Sequence, residues 1–475
     1  MIEKTRAEGT TFVADGGDLF WKSGVLSAED VPQQREKARL QASAYALAGI
    51  DAMLPAEGDF ALGRDFVEAL STEFHLPYVA SDLRCNGEHL FPPVRVVERD
   101  GVTIAFVGLV GGNVEVDGCT RDEAGAALKA ALTGVIADAV VLLSGENEPD
   151  TLRDTQAAGH IDLILVNDRK QLHAAEPVEG GALRLGAGSR GRYVGALSFT
   201  LVPGARGWRD DSAIGKLAEQ RDRYQQRLAE FQAKLDAPGP TSPTVIEAAD
   251  RQRDLGRARQ QVDFYTKRLA ALDAQLAAAT SATGTTNRAA NKIYTLDAAI
   301  ADHAATQALV DAAKIRIAAA AAAPTAPTGD SPFAGNTACA SCHAVETAQW
   351  KTTPHARAWD SLVTVNRQLD DACYSCHVTG ALHPEGPRNA ASAMAASLQA
   401  VGCESCHGPG RAHAAAPTTE HLRKDPAVGV CTECHDGVQD QGRFDLASYR
   451  PRILHLPALP PPPTEPPGRG SGRSP

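Results

Sequence analysis

The chain has 475 residues, with 47 Lys plus Arg against 58 Asp plus Glu and a formal net charge of -11. That length points to roughly two to four folded units, and the acidic balance offers no basic footprint to a nucleic acid. Up to residue 330 the count is 35 basic against 45 acidic residues and beyond it 12 against 13, so the acidity belongs to the N-terminal part and concerns solubility.

The first residues, Met1-Ile2-Glu3-Lys4-Thr5-Arg6, lack the apolar core of a signal peptide. No run reaches the roughly 18 strongly apolar residues of a spanning helix. From Thr11 to about Val202, short apolar runs alternate with amphipathic stretches, which predicts an α/β layered domain over residues 1–205. Strands are predicted at Thr11–Ala14, Val102–Val107, Ala139–Leu143 and Ile161–Val166, and helices near 30–48, 64–72, 122–135 and 150–158. Between 210 and 322 the composition turns to Gln, Arg, Ala and Leu in heptad spacing. Ile214, Leu217, Tyr224, Leu228, Phe231 and Leu235 precede the breaker Pro238-Gly239-Pro240; Leu255, Ala258, Val262, Tyr265, Leu269, Leu272 and Leu276 follow it. This predicts a helical hairpin or coiled coil, a spacer or a means of self-association, with a third helix from about Ala290 to Ala322. A linker at 323–332 and a Pro-rich tail at 457–475 flank the last domain, 333–456.

That domain holds eight of the ten cysteines in four copies of one pattern. They are Cys339-Ala340-Ser341-Cys342-His343, Cys373-Tyr374-Ser375-Cys376-His377, Cys403-Glu404-Ser405-Cys406-His407 and Cys431-Thr432-Glu433-Cys434-His435. Each reads as a haem c attachment site, in which two thiols add across the haem vinyls and the next histidine binds iron from one side. Zinc is the alternative, but zinc sites make no demand for a His directly after every second Cys. Few large aliphatic residues occur here, so four porphyrins would have to supply the core. For the second axial positions the region offers His355, His383, His413, His421 and His455, which allows two histidines on every iron or one face left open.

Ala338 to His455 resembles the tetrahaem cytochrome c-554 family. The resemblance lies in Trp350…Pro354-His355-Ala356, Cys376-His377-Val378-Thr379-Gly380, Val401-Gly402-Cys403 through Gly408-Pro409-Gly410…His413, and Phe444-Asp445…Tyr449…His455. It implies a mostly α module of closely stacked haems, periplasmic electron transfer with redox partner proteins, and mostly bis-His iron with one five-coordinate haem. His355, His413 and His455 are its expected distal ligands.

The N-terminal part is similar to the catalytic domain of 5′-nucleotidases, which are calcineurin-like metallophosphatases. The matching stretches are Ala14-Asp15-Gly16-Gly17-Asp18-Leu19-Phe20, Gly49-Ile50-Asp51-Ala52, Gly101–Gly108 and Gly186-Ala187-Gly188…Gly191–Gly195. The resemblance implies two metals that activate a water for attack on phosphate. Asp18 matches the bridging Asp, but the Asn-His-Glu block reads Glu57-Gly58-Asp59. The strand-end His falls at Ser144-Gly145 and the paired-His loop at Asn167-Asp168-Arg169. A divalent metal is therefore not expected, beyond a remodelled mononuclear site of Asp15, Asp18, Glu57 and Asp59. The family's first metal block and an export signal would both precede Met1, so the reading frame is expected to start upstream. Cys85 and Cys119 are left to pair or to remain free thiols.

The expected function is an exported multihaem electron carrier with an inactive phosphatase-like domain. The alternatives are a phosphoester hydrolase fused to a redox module, or a haem reductase with one open iron.

Overall fold

The computed structural model describes residues 1–21, 26–111, 114–145, 159–168, 170–189, 191–202, 204–205, 207–237, 245–281, 286–297, 299–321, 331–395, 398–418, 422–437 and 443–455. The predicted helix at 150–158, the 238–240 breaker, Arg169, most of the 323–332 linker and the 457–475 tail lie outside them. The chain divides into two compact units, Met1–Val25 with Gln41–His303, and Leu26–Leu40 with Ala304–Pro475.

The first unit is built on strands β1 (Ala14–Asp15), β2 (Ala52–Met53), β3 (Leu83–Cys85), β4 (Glu88–His89), β5 (Val94–Arg99), β6 (Val102–Leu109), β7 (Cys119–Arg121), β8 (Ala139–Ser144), β9 (Leu163–Val166), β10 (His173–Pro177), β11 (Leu183–Gly186), β12 (Tyr193–Thr200), β13 (Trp208–Asp210) and β14 (Asn287–Thr295). Six of them form one sheet in the order β10-β11-β9-β8-β6-β5. Its inner pairs are parallel and its two edge pairs antiparallel. The β5–β6 edge turns through Asp100-Gly101, both at positive φ (53° and 77°), as a two-residue hairpin requires. Strands β6, β8 and β9 are almost continuously apolar because they are covered on both faces. Leu128 and Ala131, from the helix Ala124–Leu132, pack onto Val107, Leu109, Leu142, Ile164 and Val166 in the core. Each large side chain buried there contributes about 1.5–3 kcal/mol.

Strands β1 and β2 pair in parallel, and Met53 bridges onward to Tyr78. Strands β3 and β7 set Cys85 opposite Cys119, and the two form a disulfide. A further three-stranded sheet, β12-β14-β13, revises the sequence expectation. Residues 287–295 are a strand paired with β12 over eight positions and with β13, and the following helix is confined to Ala304–Ala319. The Ala-rich composition that predicts a helix from Ala290 hides the alternation Ile293-Tyr294-Thr295, and the strand partners decide the state. The helices Ser212–Asp236 and Val245–Ser281 thus form an excursion between two strands of one sheet. They pack through Tyr265 against Tyr224 and Phe231, with ring centres 5.4 and 5.9 Å apart.

In the second unit the helices from Asn336 onward are four to eight residues long. A small apolar cluster of Phe333, Trp359, Leu362, Val378, Ala393 and Leu398 joins them. No helix among the described residues is long and apolar enough to cross a membrane.

Candidate functional site

Each thiol pair is presented by one turn of helix. Cys373–His377 ends the helix Asp371–His377, and Cys403–His407 is itself a helix. The first and fourth motifs begin in Asn336–Ala340 and Val428–Thr432. The Cys339 thiol lies within interacting distance of Cys403, and Cys434 within that of Cys376, so the motifs meet as first with third and second with fourth.

Three motif histidines face a second imidazole. His343 and His413 have ring centres 6.2 Å apart with planes 28° from parallel. His407 and His455 stand 6.2 Å apart at 23°, and His355 and His435 6.3 Å apart at 49°. Metal–imidazole bonds run about 2.0–2.1 Å, and with the ring-centre-to-nitrogen distance added at each end two imidazoles on one metal have centres about 6.3 Å apart. The three pairs fit a shared iron.

The proton positions agree with that fit. His407 Nδ1 donates to the Arg423 carbonyl and His413 Nδ1 to the Thr418 carbonyl, both at 2.6 Å, and His455 Nδ1 lies 2.9 Å from Gln349 Oε1. A carbonyl oxygen only accepts, so each Nδ1 carries the proton and Nε2 is left as the basic nitrogen. Burial, reinforced by the nearby His435, lowers the pKa of His355; burial, reinforced by His407, lowers that of His455. Both shifts favour the neutral ring that a metal needs.

His377 is held in the same way, with Nδ1 donating to the Ala358 carbonyl at 2.6 Å. Among the described residues no imidazole stands across its ring. His383 is placed elsewhere, edge-on to Phe333 at 5.4 Å, with Nδ1 accepting from the Glu385 N–H. His421 lies outside the described residues.

Sequence reasoning passes over the groups that support the histidines. Gln349 holds His455 and donates through Nε2 to the Leu454 carbonyl at 2.6 Å. Glu404, inside the third motif and 4% exposed, accepts from the backbone N–H groups of Ala334, Gly335 and Gly410 at 2.7–2.8 Å. Their only signal in the sequence is position, beside Trp350 and between two cysteines.

In the first unit Asp15, Asp18 and Asp59, expected at a metal site, are engaged with their own chain. Asp18, at φ 63°, accepts from the Gly58 N–H at 2.8 Å and from Asn167 Nδ2 at 3.0 Å. Asp59 accepts from the backbone N–H groups of Asp18, Leu19 and Ala56. Asp15 accepts from the Gly17 N–H and the Tyr45 hydroxyl. Burial pushes Asp59 up to about 7 and also raises Asp15. Asp168, in the place of the paired-His loop, meets Nε2 of the buried His173 at 2.9 Å. At Gly58 and Gly145, in the Glu57-Gly58-Asp59 and Ser144-Gly145 stretches where the resemblance implies histidines, a Cβ would overlap the carbonyls of Trp21 and Val110. A histidine at either place requires the backbone to move.

Residues 338–408 match the cytochrome c554 and c-prime family. A curated relative, cytochrome c-554 of Nitrosomonas europaea, is 38% identical over 97 residues, which cover 17% of this chain and 40% of the relative. The chain thus spans less than half of that relative's length, and its C-terminal part is cytochrome c554-like. Solved structures similar to the chain include the sulfate thiohydrolase SoxB of Thermus thermophilus, at 24% identity and TM-score 0.37, covering 43% of this chain and 39% of that one. A putative 5′-nucleotidase from Staphylococcus aureus is similar at 16% identity and TM-score 0.35, covering 42% and 44%. The calcineurin-like phosphoesterase YfkN of Bacillus subtilis is similar at 18% identity and TM-score 0.36, covering 41% and 73%. Both kinds of protein that the sequence resembles are among these matches.

Proposed function

We propose that this protein is an exported multihaem c-type cytochrome that passes electrons through four covalently held haems to redox partner proteins. The observation that carries the reading is the set of three imidazole pairs at 6.2–6.3 Å, each with one member from an attachment motif. Haem c supplies one-electron exchange at iron. The chain's own residues tether, orient and bury it. The cysteine pairs at 339/342, 373/376, 403/406 and 431/434 hold the porphyrins, and His343, His377, His407 and His435 are the proximal ligands. His413, His455 and His355 are the distal ligands of the first, third and fourth haems. Backbone carbonyls fix the ring orientations through Nδ1. Export is supported by the Cys85–Cys119 disulfide, a product of an oxidising compartment.

The N-terminal domain, a layered α/β scaffold, acts as a binding or spacing element and not as a hydrolase. Its acidic residues serve as acceptors for backbone N–H groups, and the helical excursion is a coiled-coil spacer or a contact for self-association. Mass spectrometry and iron analysis of the matured full chain test the proposal, with four haem additions and four irons expected. A folded, colourless product refutes it.

The His377 ring, which has no imidazole opposite it among the described residues, favours a second reading, a haem reductase of small nitrogen or sulfur oxyanions at that iron. Spectra with only low-spin, six-coordinate haem exclude it.

A further inference from the structure

We propose that Gln33 and Lys37, supplied to the second unit from far upstream in the chain, position the second attachment motif, and that the Lys37 ammonium raises the reduction potential of the haem held there. The inference rests on the proposed haem at Cys373 and Cys376.

Residues 26–40 belong by packing to the second unit although Gln41–His303, part of the first unit, separates them from its main body. Gln33 is 1% exposed and both ends of its amide are engaged. Nε2 donates to the Leu369 carbonyl at 2.6 Å and Oε1 accepts from the Asp371 N–H at 2.9 Å. One side chain therefore clamps both sides of Asp370, at the point where the chain enters the helix Asp371–His377. Asp370, also buried, caps that helix by accepting from the Ala372 N–H, and its carboxylate lies 2.6 Å from Lys37 Nζ and 2.5 Å from Arg367 Nη2. Glu36 meets Arg316 at 2.8 Å, which ties the same segment to the helix Ala304–Ala319.

The clamp therefore fixes the single helix that carries Cys373, Cys376 and His377. It also fixes charge. The fields of Asp370, Arg367 and Lys37 all reach the Cys373 sulfur. A cation held near a haem in a weakly screening interior favours the reduced iron, and an anion favours the oxidised iron. Among the described residues Lys37 pairs with Asp370, so substituting it alters the field with little change of packing.

Potentiometric titration of the matured full chain, followed by visible spectra, tests this, with haem number counted by mass. Lys37→Met is expected to keep four haems, lower one midpoint potential and leave three unchanged. Lys37→Arg is expected to restore that potential, and Asp370→Asn to raise it. A merely structural role gives loss of haem or a common drift, and has no reason to give shifts of opposite sign. Should Asp370→Asn fail to fold, the Lys37 pair of variants decides alone. Four unchanged potentials in Lys37→Met, or four moving together, overturn the inference. A wild-type peptide map without haem at Cys373–Cys376 overturns the cytochrome reading itself and is recognised before any potential is measured.

Discussion

Glu404 shows what a single side chain does in a domain with little apolar core. Its two oxygens accept from three backbone N–H groups, and those groups belong to the start of the domain and to the turn after the third motif. Glu404→Gln keeps the shape but turns an N–H₂ toward one of those donors. A buried donor left without an acceptor costs about 1–3 kcal/mol, and that is the expected loss in denaturant unfolding of the haem-loaded chain. Glu433→Gln, at an exposed place in the fourth motif, is expected to change stability little. Asp59 makes the corresponding argument in the first unit. Its folded pKa of about 7 lies above the ordinary unfolded value of about 3.9. The fold therefore favours the protonated form. This residue's stabilising contribution is full below pH ~4 and is lost as the pH rises toward 7. Its two oxygens already accept from the backbone N–H groups of Asp18, Leu19 and Ala56, so a metal would have to displace those bonds. Millimolar Mn²⁺ is expected to leave the melting temperature of the first unit unchanged and to elicit no phosphate release from nucleotides; a metal-dependent rise in melting temperature would favour the hydrolase alternative.

At the scale of elements, β3 and β7 are three residues each, and such short strands hold weakly by themselves. The Cys85–Cys119 bond closes 34 residues of chain between them. Removing a bond over a loop of this length costs about 2–4 kcal/mol. Reduction, or Cys85→Ser with Cys119→Ser, is expected to lower the first unit's transition in calorimetry while the visible haem spectrum stays as it is. The pairing of these cysteines follows from strand register, which composition does not show. The same gap accounts for β14, because a strand whose partners lie some ninety residues away in sequence carries no local mark strong enough to outweigh its alanines. Long amphipathic helices are legible because their pattern is internal. The helix Arg64–Phe74 falls where periodicity puts it, and the central strands β6 and β8 begin where the apolar runs begin.

Across the whole molecule the attachment motifs were legible because thioether chemistry fixes the spacing of two thiols and one imidazole within five residues. The opposite imidazoles come from outside their own motifs: His413 lies seventy residues after His343, while His355 precedes its facing ring by eighty. Three of five candidate histidines have such a partner, and that leaves the His377 face to decide between a pure electron wire and a reductase. Carbon monoxide discriminates, since it binds reduced iron only where a coordination position is free or weakly held. If the chain carries the four proposed haems, the three imidazole pairs and a His377 with no imidazole opposite it among the described residues give about one carbon monoxide per chain. His413→Ala frees a second position and is expected to bring the count to two, with the new binding centre appearing at the first motif. A wild-type chain that takes up none would mean that His377's iron has a second strong ligand; His421, outside the described residues, is the histidine to replace next.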